Sequence, residues 1–328
     1  MRIAFVGKGG SGKTTLASLM FKYIENKNQP LLAIDADINQ HLGQSIGWDI
    51  EAIPELGNNL QELKTILKGR NPNIPSENAM TKTTLPGRGS HLIRLEQNDP
   101  ILERFARKQN NAWFMRLGGF QEEDIGQKCY HAKTGAAELV LNHLIDQSDE
   151  TVLLDMTAGA DAFASGFFTR FDLTVLVVEP TLKSTSVYSQ YKEYTQGYDI
   201  PICVIGNKIE DDDDVNFIRE HCGQDLIGYM TKSSWVKKSE QSTSPSITTL
   251  EPENKKVLEL LLQEANKHPR DWQKYWQTGQ DFHSLNVAKA KGWANEVVGL
   301  DLTEQTDPDF TNSIQGELEP ERTKQHQN

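Results

Sequence analysis

Residues 3–14 read Ile3-Ala4-Phe5-Val6-Gly7-Lys8-Gly9-Gly10-Ser11-Gly12-Lys13-Thr14. The four apolar residues form a short strand pattern, and the run after them fits G-x-x-x-x-G-K-[ST]. Glycines let backbone N–H groups turn inward and approach a phosphate. Together with the N-terminus of a following helix, those groups make an anion site. The loop Gly7, Gly9, Gly10, Ser11, Gly12, Lys13, Thr14 and Thr15 is therefore the expected cradle for ATP or ADP. Lys13 is placed to reach the β- and γ-phosphates, and Thr14 to offer its hydroxyl to Mg²⁺. Leu16, Leu19, Met20, Tyr23 and Ile24 share one face of a helix predicted over 15–27. That supplies the strand–loop–helix context the motif requires.

Outward from this loop, short apolar runs alternate with helical stretches. They lie at 3–6, 31–34, 113–117, 152–154, 173–178 and 202–205, with a weaker one at 91–95. Near-continuous apolar strands separated by helices imply βαβ units. The predicted fold is α/β, a doubly wound, mostly parallel sheet of about 7–8 strands with helices on both faces. Residues 1–250 are read as the nucleotide-binding domain, with an irregular insertion at about 50–112 that holds a helix near 60–67. Residues 251–308 are read as a helical C-terminal extension beginning with a helix over 251–268. Its aromatic residues Trp272, Tyr275, Trp276, Phe282 and Trp293 are expected to pack on the core or on a partner. From residue 309 the chain is polar and acidic, and a disordered tail over 309–328 is expected.

Ligands in such sheets sit at the carboxyl ends of strands, and three further motifs fall there. Asp35 and Asp37 leave the second strand on the same side, two residues apart. One can orient or deprotonate a water for in-line attack, and the other can hold the Mg²⁺ shell. Val152-Leu153-Leu154-Asp155 is an apolar strand ending in a carboxylate suited to Mg²⁺. Asn207 ends a further strand, where an amide can pair with the donor and acceptor edge of a base.

Lys8, a second lysine inside the loop, narrows the reading. Lys-Gly-Gly-x-Gly-Lys-Thr-Thr resembles the deviant Walker A motif of the MinD/ParA positioning ATPases, the nitrogenase iron protein, the arsenical-pump ATPase and the CooC-type nickel-insertion ATPases. In those proteins the signature lysine reaches the partner's nucleotide, so the resemblance implies an ATP-gated homodimer with Lys8 in a catalytic role. Asp35-Ala36-Asp37-Ile38-Asn39 resembles the family's D-x-D-P-[NQ] switch I, with Ile38 in place of proline, which makes Asp37 the hydrolytic carboxylate. Asp155-Met156-Thr157-Ala158-Gly159-Ala160-Asp161 resembles D-x-x-A-G-x-[ED], switch II, most closely in its CooC form. Gly159 would then sense the γ-phosphate, and Asn207 would contact adenine.

Cys129 and His131 lie where CooC-type ATPases carry a metal-binding Cys-x-Cys pair. One such pair supplies two ligands, and a twofold dimer would supply the four that a structural zinc site needs. Zinc or nickel at a dimer interface is the resulting expectation; the alternative is a buried cysteine beside a surface histidine. An iron–sulfur role needs two suitably placed cysteines per subunit, and Cys203 and Cys222 do not match that pattern. A MinD-type role needs a basic amphipathic membrane helix, which the acidic tail does not provide.

The net charge of −12 over 328 residues disfavours nucleic acid as a partner. No apolar run approaches the roughly 20 residues needed to span a bilayer. The N-terminus lacks a signal-peptide design, and three scattered cysteines fit a reducing compartment, so a cytoplasmic location with no stable membrane anchor is expected. Two functional readings follow. One is an Mg²⁺-dependent ATPase switch acting on a client protein in metal-cofactor maturation. The other is a nucleotide-gated scaffold that recruits a partner through residues 270–308, with slow hydrolysis.

Overall fold

The computed structural model describes residues 1–96, 98–119, 130–157, 163, 165–241, 245–289 and 293–318. The strands are β1 (Arg2–Gly7), β2 (Leu31–Ala36), β3 (Ala106–Gln109), β4 (Ala112–Arg116), β5 (Thr151–Met156), β6 (Leu173–Val178), β7 (Ile202–Gly206) and β8 (Leu226–Tyr229). The first helices are α1 (Lys13–Asn26), α2 (Leu42–Ile46), α3 (Leu60–Lys68), α4 (Pro100–Phe105) and α5 (Tyr130–His143). They are followed by α6 (Leu182–Tyr194), α7 (Asp212–Cys222), α8 (Ser234–Glu240) and α9 (Pro252–Ala265). The chain ends in α10 (Trp272–Ser284), α11 (Trp293–Val298), α12 (Phe310–Ser313) and α13 (Gln315–Leu318).

All eight strands form one sheet in the order β3-β4-β2-β5-β1-β6-β7-β8. Every pairing is parallel except β3 with β4. The strand period of two divides the core. Ala4 and Val6 of β1 face one layer, with α3, α5 and α6. Ile3 and Phe5 face the other, with α1 and α9. This is the doubly wound α/β sheet predicted, with eight strands.

Several boundaries differ from the sequence reading. The run at 91–95 makes only an isolated bridge, Ile93 to Leu144. Two strands were not anticipated. β3, with sequence Ala-Arg-Lys-Gln, is a short charged edge strand, a form that discourages further pairing. β8 is four residues long and contains Gly228. The insertion at 50–112 is more regular than expected, since it supplies α3, α4, β3 and the start of β4.

The C-terminal extension packs on the molecule. Trp272, Tyr275 and Trp276 of α10 join Leu85, Ile145, Phe310 and Ile314 in a separate apolar cluster. Residues 310–318, placed in a disordered tail by their composition, instead form α12 and α13. Phe310 lies edge-on to Trp276 at 5.7 Å and is 5% exposed, a burial that contributes roughly 1.5–3 kcal/mol. A buried charge cluster ties the extension to the first strand. Arg270 donates to both Asp146 and Asp172 at 2.6–3.0 Å, and Arg2 donates to Asp146 at 2.7 and 3.0 Å. The two guanidinium groups hold the Asp146 carboxyl far below the usual carboxylate range against its burial.

Candidate functional site

The site lies at the carboxyl ends of β1, β2, β5 and β7. The loop after β1 is shaped by backbone demands. Gly7 has φ +147°, and a Cβ there would stand 2.5 Å from the Val177 carbonyl oxygen of β6. Gly12 has φ +99°, and a Cβ there would stand 2.1 Å from the Asn207 amide nitrogen. Both positions accept only glycine. Gly9 and Gly10 face open space. The Ser11 N–H donates to the Lys8 carbonyl at 3.1 Å, and α1 begins at Lys13. The result is a turn of backbone N–H groups leading into a 14-residue helix, which suits a polyphosphate.

Lys13 is 5% exposed. Its Nζ donates to the Lys8 carbonyl at 3.4 Å and lies 4.0 Å from Asp37 Oδ2. Thr14 Oγ1 donates to Asp155 Oδ2 at 2.6 Å. Asp37 Oδ1 accepts from the N–H and side-chain amide of Asn39 at 2.9 and 3.0 Å. Lys13, Thr14, Asp37 and Asp155 are thus brought together around one point. Asn207 reaches the same loop, since its amide donates to the Ser11 carbonyl at 2.7 Å. Beside it opens a cleft of about 490 Å³, lined in part by Leu16, Leu19, Val177, Met230 and Val236. That size and apolar lining suit a base and its ribose.

Asp35 lies beside these residues and holds a loop. It sits directly beside Asp155 in the register of β2 and β5. Its Oδ2 accepts the Leu42 N–H at 2.9 Å, and its Oδ1 accepts the Asp37 N–H at 3.2 Å. Both oxygens are therefore engaged in holding the loop between β2 and α2. Burial, then the adjacent Asp155 charge, pushes the Asp35 carboxyl well above its ordinary value. Asp155 is also pushed up, first by burial. A cation beside these groups would reverse that cost. Asp155 Oδ1 is buried without a hydrogen-bond partner, and with the Thr14 hydroxyl it forms an all-oxygen pair that fits Mg²⁺.

Two residues of the site were missed. Glu179, just past β6, meets Lys8 Nζ at 3.4 Å and also pairs with Lys208. Lys208 in turn donates to the Gly10 carbonyl at 2.8 Å. The two lysines hold the Glu179 carboxyl below its usual value, against its burial. No local motif marks Glu179. The signal available was Lys208, which follows Asn207 directly in sequence. Gly159 and Cys129 lie outside the described residues, as does the side chain of His131. Among the described residues, no group of three or more His, Cys, Asp or Glu side chains is placed to hold a metal ion. No helix among them is long and apolar enough to cross a membrane.

No family model matches the chain. The carbon monoxide dehydrogenase accessory protein CooC of Rhodospirillum rubrum is 30% identical over 244 residues, 74% of this chain and 88% of that protein. This chain belongs to the CooC-like proteins. An uncharacterised ATP-binding protein of Methanocaldococcus jannaschii is 28% identical over 245 residues, 73% of this chain and 88% of that one. Among solved structures, a ParA family ATPase from Chlorobium tepidum superposes with TM-score 0.54 at 13% identity, over 81% of this chain and 98% of that one. The cell division ATPase MinD of Pyrococcus furiosus gives 0.51 at 15% identity, with the same coverage. These two likenesses establish the fold. The protein is an ATPase that binds ATP and ADP.

Proposed function

We propose that this CooC-like ATPase is an Mg²⁺-dependent switch that dimerises on ATP and acts on a client protein in metal-cofactor maturation. The observation that carries the reading is the place of Lys8. Its side chain is 38% exposed on the rim of the loop and is held by Glu179, while Lys13 is buried beside Asp37. A second cation so placed suits the phosphates of another copy better than those of its own.

In this reading Lys13 binds the β- and γ-phosphates through its ammonium group. Asp37, oriented by Asn39, aligns a water and accepts its proton as the water attacks the γ-phosphorus and the bond to the ADP oxygen breaks. Lys8 supplies positive charge to the partner's phosphates as the transition state forms. Thr14 and Asp155 would hold Mg²⁺, which would supply charge neutralisation to the phosphates. Asn207 reads the base, Gly159 senses the γ-phosphate, and the site works in the cytoplasm. Cys129 and His131 would supply zinc or nickel ligands across the dimer. The client reading rests on the accessory role named for the Rhodospirillum rubrum relative. Packing of Trp272, Tyr275 and Trp276 into the protein weakens the scaffold alternative, which needs those rings for a partner.

Light scattering and turnover test this together. The Asp37→Ala variant should bind ATP and accumulate as a dimer with turnover lost, and Lys8→Ala should bind ATP and stay monomeric. A Lys8→Ala dimer with ATP, or undiminished turnover in Asp37→Ala, would refute the corresponding role.

A further inference from the structure

Glu179 follows β6 directly and is fixed from its backbone outward. Its N–H donates to Ser184 Oγ at 2.9 Å. Pro180 comes next, and Thr181 caps α6 by accepting the Ser184 N–H at 3.3 Å. The buried side chain therefore stands at a set place beside the ATP-binding loop. Its two oxygens are divided between two cations. Oε2 accepts from Lys8 Nζ at 3.4 Å, and Oε1 accepts from Lys208 Nζ at closer range. The two contacts are unequal. A charge-assisted N–H···O bond spans about 2.7–2.9 Å, so Lys8 is the looser partner. Lys208 is tied a second time, to the Gly10 carbonyl at 2.8 Å. Its backbone holds φ +58°, a conformation that a residue with a side chain keeps only where its surroundings dictate it. Burial would raise the Glu179 carboxyl; Lys208 opposes this first and Lys8 second. The carboxylate thus keeps a counter-charge when Lys8 departs.

We propose that Glu179 is a positioning residue for Lys8: it parks the ammonium group on its own protomer, and Lys208 takes over the whole carboxylate when Lys8 leaves for the phosphates of a second copy. The inference rests on the reading above that Lys8 acts across an ATP-bound dimer. Stripping a buried charge of its partner is costly, and sharing the carboxylate between two lysines avoids that cost. Release of Lys8 then opposes dimerisation only as a partly exposed ion pair would, by a factor of about two to five. A twofold dimer opens two such latches, so together they loosen it about four- to 25-fold.

The test is the dimer dissociation constant of the full chain, measured by sedimentation with Mg²⁺ and a saturating non-hydrolysable ATP analogue, with melting temperature alongside. Glu179→Gln should tighten the dimer about four- to 25-fold; a merely structural role for Glu179 would loosen it instead. Glu193→Gln removes the same charge from the far end of α6 and should leave the constant within about twofold, because exposed charges at that distance are screened. Lys208→Gln keeps a donor for the Gly10 carbonyl and leaves the carboxylate to Lys8, so the dimer should weaken. That variant decides the matter if Glu179→Gln does not fold. An unchanged or weaker dimer in folded Glu179→Gln overturns this inference alone, as does equal tightening in Glu193→Gln or an unweakened dimer in Lys208→Gln. Absence of an ATP-dependent dimer in the unaltered protein overturns the functional reading and this inference with it.

Discussion

Replacing Gly12 by alanine should damage the protein in a way that the neighbouring Gly9→Ala does not. Gly12 sits at φ +99°, a region that costs an L-residue about 1–2 kcal/mol. Its new methyl would also stand 2.1 Å from the Asn207 amide nitrogen. The amide must retreat and surrender its 2.7 Å bond to the Ser11 carbonyl, a net loss of about 0.5–1.5 kcal/mol. The sum is a destabilisation of about 1.5–3.5 kcal/mol, read as a lowered midpoint in denaturant unfolding without a change in slope. Asn207 is also the expected base contact, so calorimetry should find ATP and ADP weakened alike, by about tenfold for one lost interaction of that size. At Gly9 nothing lies within 4 Å of the added Cβ, and Gly9→Ala should stay within about 0.5 kcal/mol. The reasoning fails if Gly12→Ala unfolds at the wild-type midpoint, or if Gly9→Ala is equally damaging.

Two further perturbations probe the frame around the site. Arg270→Ala leaves Asp146 and Asp172 short of a buried partner that makes four hydrogen bonds, and denaturant unfolding should register a loss of about 3–5 kcal/mol. Lys274→Ala, which breaks the exposed pair with Asp199, should leave the midpoint where it is. Glu138 gives a pH signature. Burial raises its pKa from 4.5 to about 7, so in that window the folded protein holds a proton that the unfolded chain has lost. Stability should therefore fall as pH rises from about 4.5 to about 7 and level off above it. The drop is on the order of 3 kcal/mol, and Glu138→Gln should remove it; a wild-type slope surviving in that variant would show that another group titrates.

What could be read from the chain before folding was chemistry that demands a residue type at a set spacing. Gly7, Gly12, Lys13 and Thr14 serve one loop within eight residues, and Asp155 closes an apolar run, so each carries its own context. Glu179 carries none. It reaches Lys8 because β6 runs beside β1 with Gly7 opposite Val177, and no local pattern encodes that adjacency. Asp35 was legible as a carboxylate at a strand end but not as a loop support, because its task depends on Leu42 folding back seven residues later. β8 escaped because its four half-exposed residues are too few to set a period.

The tail is the instructive case. Composition over 309–328 argues for disorder, and composition averages over residues. Phe310 and Ile314 stand four apart, which puts both on one face of a helical turn, and that face meets Trp276 and its neighbours. Two side chains at the right spacing, opposite an aromatic surface already built by α10, bury enough to order a segment that its average polarity would leave free. A polar stretch near an aromatic-rich helix is therefore better read residue by residue, asking whether its few apolar positions fall at helical spacing, than by its mean hydropathy.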